Sequence, residues 1–354
     1  MANVQRYAYV NARISVLSAR LFDEATFDRF LSSPQQERPH LLHKAGLAFL
    51  VEMEKPGPEV LEQGLIAALL DDYTVLLRPL TGSARALTAY WMRRFEISNL
   101  KVIVRGKIAG QRRAAIAAQL VDLGRFASLP LEELLHTEDV DELIRYLEQT
   151  SFKHIAREGV KAFRKDRDLF ALDSAIERHY FNGLAQMRKG LSLSERQTVE
   201  PILGALIDQI NLVWLMRYRL TYAMAPAEVY YLLLAGGRDL DSKRLMALAQ
   251  AGSVPEAVAA LPAEIARWVD GATDIVALER AMEMRVNKIA WRLLMSSMFS
   301  LGRVFAYLLL RERQLLRIHA ILKGEYLGLD RADIRRAAGL AAPERKSAAA
   351  GVGG

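Results

Sequence analysis

The chain has 354 residues, enough for one large domain or two ordinary ones. Its composition, 51% hydrophobic and 25% charged, excludes a disordered or collagen-like chain, and the absence of any cysteine excludes disulfide scaffolds, thiolate metal sites and cysteine nucleophiles. Lys+Arg 48 against Asp+Glu 41 leaves a formal charge of +7, which fits either an anionic partner or a solvated basic surface. Lack of cysteine also points to a reducing compartment, so a cytoplasmic location is expected.

The first twenty residues lack the uninterrupted apolar core of a signal peptide, and the expectation is mature protein from the start. Helix starts are well marked. Ser33 is followed by Pro34 and Gln36, Ser192 by Glu195, and Ser253 by Pro255 and Glu256, all patterns of a capped first turn. Strand-like alternation is nearly absent; Tyr73 to Leu80 is the best candidate and reads equally well as a buried helical turn. No proline falls between Pro130 and Pro201 or between Pro262 and Pro343, which leaves room for long helices. The fold class expected is all-α.

Leu293 to Leu310 has the length of a membrane span, but Arg303 interrupts it. Arg285, Lys288, Arg292, Ser296, Ser300, Arg303, Tyr307 and Arg311 recur at helical spacing. They predict one long helix with a polar stripe, buried in protein except along that edge. Residues 341–354, small and polar, read as a disordered tail.

Internal similarity is the most informative feature. Glu96, Asp208 and Glu312 are each followed four residues on by Leu100, Leu212 and Leu316. Eleven residues on come Lys107, Arg219 and Lys323, with Arg105 and Arg217 just before the first two. The segment from Ala171 to Glu177 matches that from Ala277 to Glu283, and Thr137 to Leu143 matches Ser253 to Ala259. A chain of three similar helical units can close around a pseudo-threefold axis, leaving a funnel or socket, or stack as a solenoid. The boundaries expected are 1–125, 126–235 and 236–340.

Tyr7 to Arg13 with Arg20 and Leu21, Arg94 to Leu100, Asp208 to Leu212, Leu234 to Arg238, and Glu312 to Leu322 with Gly324 carry a resemblance. Over roughly residues 5 to 335, in order and spacing, the chain resembles the C-type subunit of the V-type (archaeal and bacterial A/V-type) rotary ATPases, whose vacuolar counterpart is the d-type subunit. One departure is Leu315 in the third unit, where the others carry Asn99 and Asn211. The resemblance implies a non-catalytic funnel of three helical repeats, monomeric alone and present once per complex. It would sit peripherally on the cytoplasmic face of the membrane proteolipid c-ring and receive the foot of the central stalk (D/F-type subunits), with the membrane stator as a further neighbour. In that role it transmits torque for ATP-coupled H⁺ or Na⁺ transport. No nucleic acid and no cofactor are implied.

A search for catalytic chemistry finds little. His40 and His43 have a ligand-like spacing without a third ligand, and Glu177 and His179 point to different helix faces. Gly236-Gly237-Arg238 lacks the pattern of a phosphate loop and reads as a helix C-cap. The basic residues remain as candidates for binding the stalk: Arg105, Lys107, Arg217, Arg219, Arg285, Lys288, Arg292, Arg303, Arg311 and Lys323. Their alternative is a solvated face or a helix C-terminal charge. A basic helical nucleic-acid-binding or scaffold protein is the rival function, and the stripe lacks the aromatic interleaving such binding uses.

Overall fold

The computed structural model describes residues 2–32, 37–53, 56–150, 152–153 and 169–340. The Ser33 cap, His154 and the tail after Leu340 lie outside these residues. Every regular element among them is helical: α1 (Ala2–Ser18), α2 (Glu24–Ser32), α3 (Arg38–Lys44), α4 (Phe49–Glu52), α5 (Pro58–Leu77), α6 (Gly82–Trp91), α7 (Arg93–Ile108), α8 (Arg113–Ala117), α9 (Leu131–His136) and α10 (Val140–Leu147). They are followed by α11 (Leu169–Lys189), α12 (Leu193–Met216), α13 (Pro226–Leu232), α14 (Ser242–Leu248), α15 (Val254–Ala259), α16 (Ala263–Val269), α17 (Ile275–Ser296), α18 (Leu301–Tyr326) and α19 (Arg331–Ala337). The chain divides into two compact units, one of residues 1–18 and 66–310, the other of 19–65 and 311–354. The divisions fall inside α5 and α18.

Local chemistry accounts for the helix starts. Ser192 and Glu195 form a reciprocal capping box at α12, each side chain accepting from the other's backbone N–H. Ser253, Asp274 and Asp330 cap α15, α17 and α19 by accepting from the N–H three residues on. The cap ahead of α10 is Asp139, two residues past Thr137. Tyr73 to Leu77 is the end of helix α5, which settles the strand candidate.

In the larger unit the same order of elements occurs twice: a long helix, several short ones, a second long helix. In the first set α7 supplies Ile97, Leu100 and Ile103, the short helices add Leu134 and Leu143, and α11 closes the core with Ile176 and Tyr180. In the second, α12 supplies Leu212 and Leu215, the short helices add Leu245 and Ile265, and α17 adds Leu278 and Met282. In the smaller unit the order is shared between the chain ends: the C-terminal half of α18 and α19, then α2, α3, α4 and the start of α5.

One junction recurs three times. After α7, Gly110 (φ 63°) takes the left-handed conformation, and Gln111 N–H bonds back to Gly106 O at 2.9 Å. After α18, Gly328 (φ 69°) does the same, with Leu329 N–H to Gly324 O at 2.9 Å. After α12 the left-handed residue is Ala223 (φ 51°), and Met224 N–H reaches Tyr218 O, one residue further back. The extra residue is absorbed by a π turn at Arg217–Thr221. In each case a short helix starts three residues after the left-handed one and buries Ile116, Val229 or Ile334. Gly106 and Gly324 make room for two of them: a Cβ there would stand 2.5 Å from Ile116 Cγ1 and 2.7 Å from Ile334 Cγ1.

The single long helix expected from 285 to 311 is two helices. Ser297 to Ser300 interrupts it, with Phe299 at φ 53° and its N–H bonded to Asn11 Oδ1 at 3.1 Å. Past the break the stripe turns inward, and Leu301 to Leu310 is buried on every face. The stretch from Leu193 to Thr221 is long and apolar enough to cross a membrane by length and composition, but 72% of its apolar window is buried within the protein.

Candidate interaction surface and buried polar clamps

The acids and amides of the repeated pattern face inward and hold backbone. Asn99 donates to Val121 O and accepts from Val121 N, both at 2.8 Å. Asn211 treats Leu234 identically, at 2.8 and 2.7 Å. One turn earlier, Glu96 accepts from Ser128 N, Ser128 Oγ and Leu129 N, and Asp208 accepts from Asp239 N and Leu240 N. These side chains are buried and replace the secondary-structure bonds that the loops lack.

The third instance corrects the register read from sequence. Gln314 accepts from Phe22 N at 2.8 Å and donates to Arg20 O at 2.9 Å, making the amide clamp of the smaller unit. Gln314 therefore corresponds to Asn99 and Asn211, Leu315 to Leu100 and Leu212, and Arg311 to the acids. Exposure agrees: Leu315 is 5% exposed and Leu316 60%. Leu315 is no departure from the pattern; the alignment on Glu312 is one residue out. Lys323 accordingly loses its correspondence with Lys107.

Of the ten basic candidates, three are buried. Arg285 pairs with Asp239 and lies 3.6 Å from Asp208, so it serves the second clamp. Burial pushes the Asp208 carboxyl up to about 6, against the pull of its two backbone donors and Arg285. Arg303 donates from Nε to Leu294 O at 2.9 Å, from Nη1 to the Asn11 side chain and from Nη2 to Ser15 Oγ at 3.2 Å. All three acceptors are neutral, and burial lowers the guanidinium's pKa. Arg303 fastens the Ser297–Ser300 break to α1, which answers the question of what an arginine does in an apolar run. Arg311 is fully buried. These three arginines do not present their charge to a partner in this conformation.

Four more are engaged locally. Arg105 pairs with Asp173 of α11, and Arg217 with Glu279 of α17 at 2.8 Å, corresponding bridges from the end of one long helix to the start of the next. Lys107 donates to the carbonyls of Leu135 and Thr137 at the end of α9, where burial lowers its pKa, and Arg219 donates to Met224 O. Lys288, Arg292 and Lys323 are exposed, and their side chains meet no partner among the described residues. Lys288 and Arg292 lie with Met284 and Met295 along the open face of α17, and Met298 follows in the break. No acid occurs between Glu283 and Glu312.

His40 and His43 are both exposed on α3, and no cluster of metal-ligating side chains occurs among the described residues. Gly236 and Gly237 lie past the end of α13, so the C-cap reading gives way to a loop that wraps a carboxylate: a Cβ on Gly237 would stand 2.4 Å from Asp208 Oδ1. Sequence reading missed Gln314 and the pairing of the two chain ends. A signal for both was present in Gly106-x-x-x-Gly110-x-x-Arg113-Ala114-x-Ile116, which recurs as Gly324-x-x-x-Gly328-x-x-Arg331-Ala332-x-Ile334.

Comparison with known proteins gives a consistent result. The sequence model of a family described as ATP synthase (C/AC39) subunit matches residues 10–337. The C subunit of the A-type ATP synthase of Methanocaldococcus jannaschii is 26% identical over 343 residues, 93% of this chain and 85% of the relative. The same A-type ATP synthase component of Halobacterium salinarum is 24% identical over 346 residues, 93% of this chain and 96% of the relative. That of Methanosarcina mazei is 22% identical over 245 residues, 68% of this chain and 67% of the relative.

Proposed function

The chain belongs to the ATP synthase (C/AC39) subunit family, and from that premise we propose that it is the rotor adaptor of an A/V-type ATP synthase, without catalytic residues of its own. It would seat the foot of the central stalk on the proteolipid ring, peripherally at the cytoplasmic face of the membrane, and carry torque between them. The match over residues 10–337 carries this reading. Support comes from the clamps and junctions, which suit three wedges about a central axis. We place the wedges at residues 93–189, at 193–296, and at 311–340 together with 20–65, in place of the consecutive division expected from sequence.

Torque transmission asks for stiffness, and the inward-facing clamps tie each loop to a long helix rather than leaving it free. The contacts to the stalk fall best on Lys288 and Arg292, whose charges are uncommitted, with the adaptable Met284 and Met295 beside them. The test is co-purification of the tagged chain from native membranes in mild detergent. Proteolipid and stalk proteins are expected with the wild type, and loss of the stalk proteins alone with Lys288→Glu/Arg292→Glu. Recovery of neither partner with the wild type would overturn the assignment.

A further inference from the structure

The end of α18 carries an apolar tip that the rotor reading does not use. Tyr326, Leu327 and Leu329 are 58%, 58% and 46% exposed, within one turn. Backbone geometry explains why. The helix closes with Leu329 N–H to Gly324 O and Gly328 N–H to Glu325 O, the paired bonds of a Schellman ending. In that motif the residue after the left-handed glycine usually packs back on a side chain in the last helical turn. Here the two positions available to it are Gly324, whose Cβ site is filled by Ile334, and Lys323. Leu329 lacks that usual partner and is left 46% exposed beside Tyr326 and Leu327.

The charge around this tip has a small basic excess: Glu325 and Asp333 are paired with arginines, which leaves Lys323 and Arg331 against the exposed Asp330. Glu325 is held by Arg38 through two bonds of 2.5 Å. Asp330 accepts from Asp333 N as the cap of α19, and Asp333 in turn holds Arg336. Lys323 and Arg331 are exposed and meet no partner among the described residues. A tyrosine and two leucines on a tight, projecting turn, with uncommitted cations on both sides, match the chemistry of a bilayer interface: apolar groups for the acyl boundary, a ring for the headgroup level, cations for anionic lipid. A partner helix would call for a groove; this is a knob.

We propose that the Tyr326–Leu329 turn is a lipid-contact site, inserting into the surface of an anionic bilayer with Lys323 and Arg331 on the headgroups. The chain contains no cysteine, so Leu327→Cys gives one labelling position for an environment-sensitive fluorophore. Vesicles containing phosphatidylglycerol should shift the label's emission to the blue, and phosphatidylcholine vesicles should not. The same label at Tyr231→Cys, 80% exposed in the other unit, should stay water-like. In flotation, Lys323→Gln/Arg331→Gln should weaken binding to anionic vesicles roughly 30-fold, about 5-fold per charge. Leu327→Asp/Leu329→Asp should abolish it.

A water-like label at position 327 with anionic vesicles overturns the proposal, even if the chain floats, as does flotation unchanged in the leucine double variant. The assay uses the full chain without the rest of the complex, so its outcome is independent of the rotor assignment.

Discussion

Asp208 shows how a residue can be structural and still titrate in an accessible range. Its carboxyl sits at about 6 in the folded chain because burial outweighs two backbone donors and Arg285, while an unfolded aspartate ionises near 4. The native state therefore holds a proton over a range where the unfolded state has released it. The contribution of this group to stability is fully present below about pH 4 and is lost as pH rises through about 6. Urea unfolding at pH 4 to 7 should show the difference between wild type and Asp208→Asn falling across that window and flat above it; a difference independent of pH would contradict the assignment. The amide clamps make a simpler case. Asn211→Ala leaves the N–H and C=O of Leu234 buried without partners, at about 1–3 kcal/mol each. Gln314→Ala should behave alike in the smaller unit, and denaturant midpoints would measure both. The ionic roles were only partly legible from sequence. Acid, leucine and base spacing pointed at the right helices, yet the acids turned out to hold backbone. Gln314 was hidden because a glutamine is unremarkable in a charged helix until the backbone it grips is known.

At the scale of elements, the three junctions invite a test of correspondence. Ala223 occupies a left-handed position that glycine fills at 110 and 328, and a Cβ there costs about 1–2 kcal/mol. Ala223→Gly should raise the melting temperature by a few degrees, while Gly110→Ala and Gly328→Ala lower it; effects of one sign at all three positions would deny the correspondence. Gly302 is a different kind of constraint. A Cβ on it would lie 2.1 Å from Thr198 O, so α18 crosses the start of α12 in backbone contact. Gly302→Ala should cost several kcal/mol, since backbone cannot step aside as a side chain can. Helix content and caps were readable in advance because both depend on neighbours in sequence: Ser192 with Glu195, Ser253 with Glu256. The break at Ser297–Ser300 was not, because the polar periodicity runs through it unchanged. What ends α17 there is Asn11, some 290 residues away, taking the Phe299 N–H and the Arg303 guanidinium.

For the whole molecule, the division of residues is the informative fact. A unit made of 19–65 and 311–354 cannot be found by cutting the sequence into consecutive thirds, which is why the expected boundaries at 125 and 235 differ from the wedges proposed. Its long-range ties include Phe22 to Gln314, Arg38 to Glu325, Arg317 to Glu24 and Arg335 to Asp28. Removing residues 311–354 should therefore release the amides of α2 and α3 to rapid hydrogen exchange while α7, α12 and their short helices stay protected. Retained protection in α2 and α3 would mean that the first segment folds on local contacts alone.

The pairing of Phe22 with Gln314 also sets an order in time. These partners are 292 residues apart, and a ribosome adding about 5–20 residues per second needs on the order of 15–60 s between them. Phe27, Phe30 and Leu31 thus stay without their final packing until the second half of α18 has been added. The first core of the larger unit, which reaches no further than Phe181, is in hand well before then. Synthesis therefore leaves α2 and α3 waiting for a helix, α18, that is made some 280 residues later.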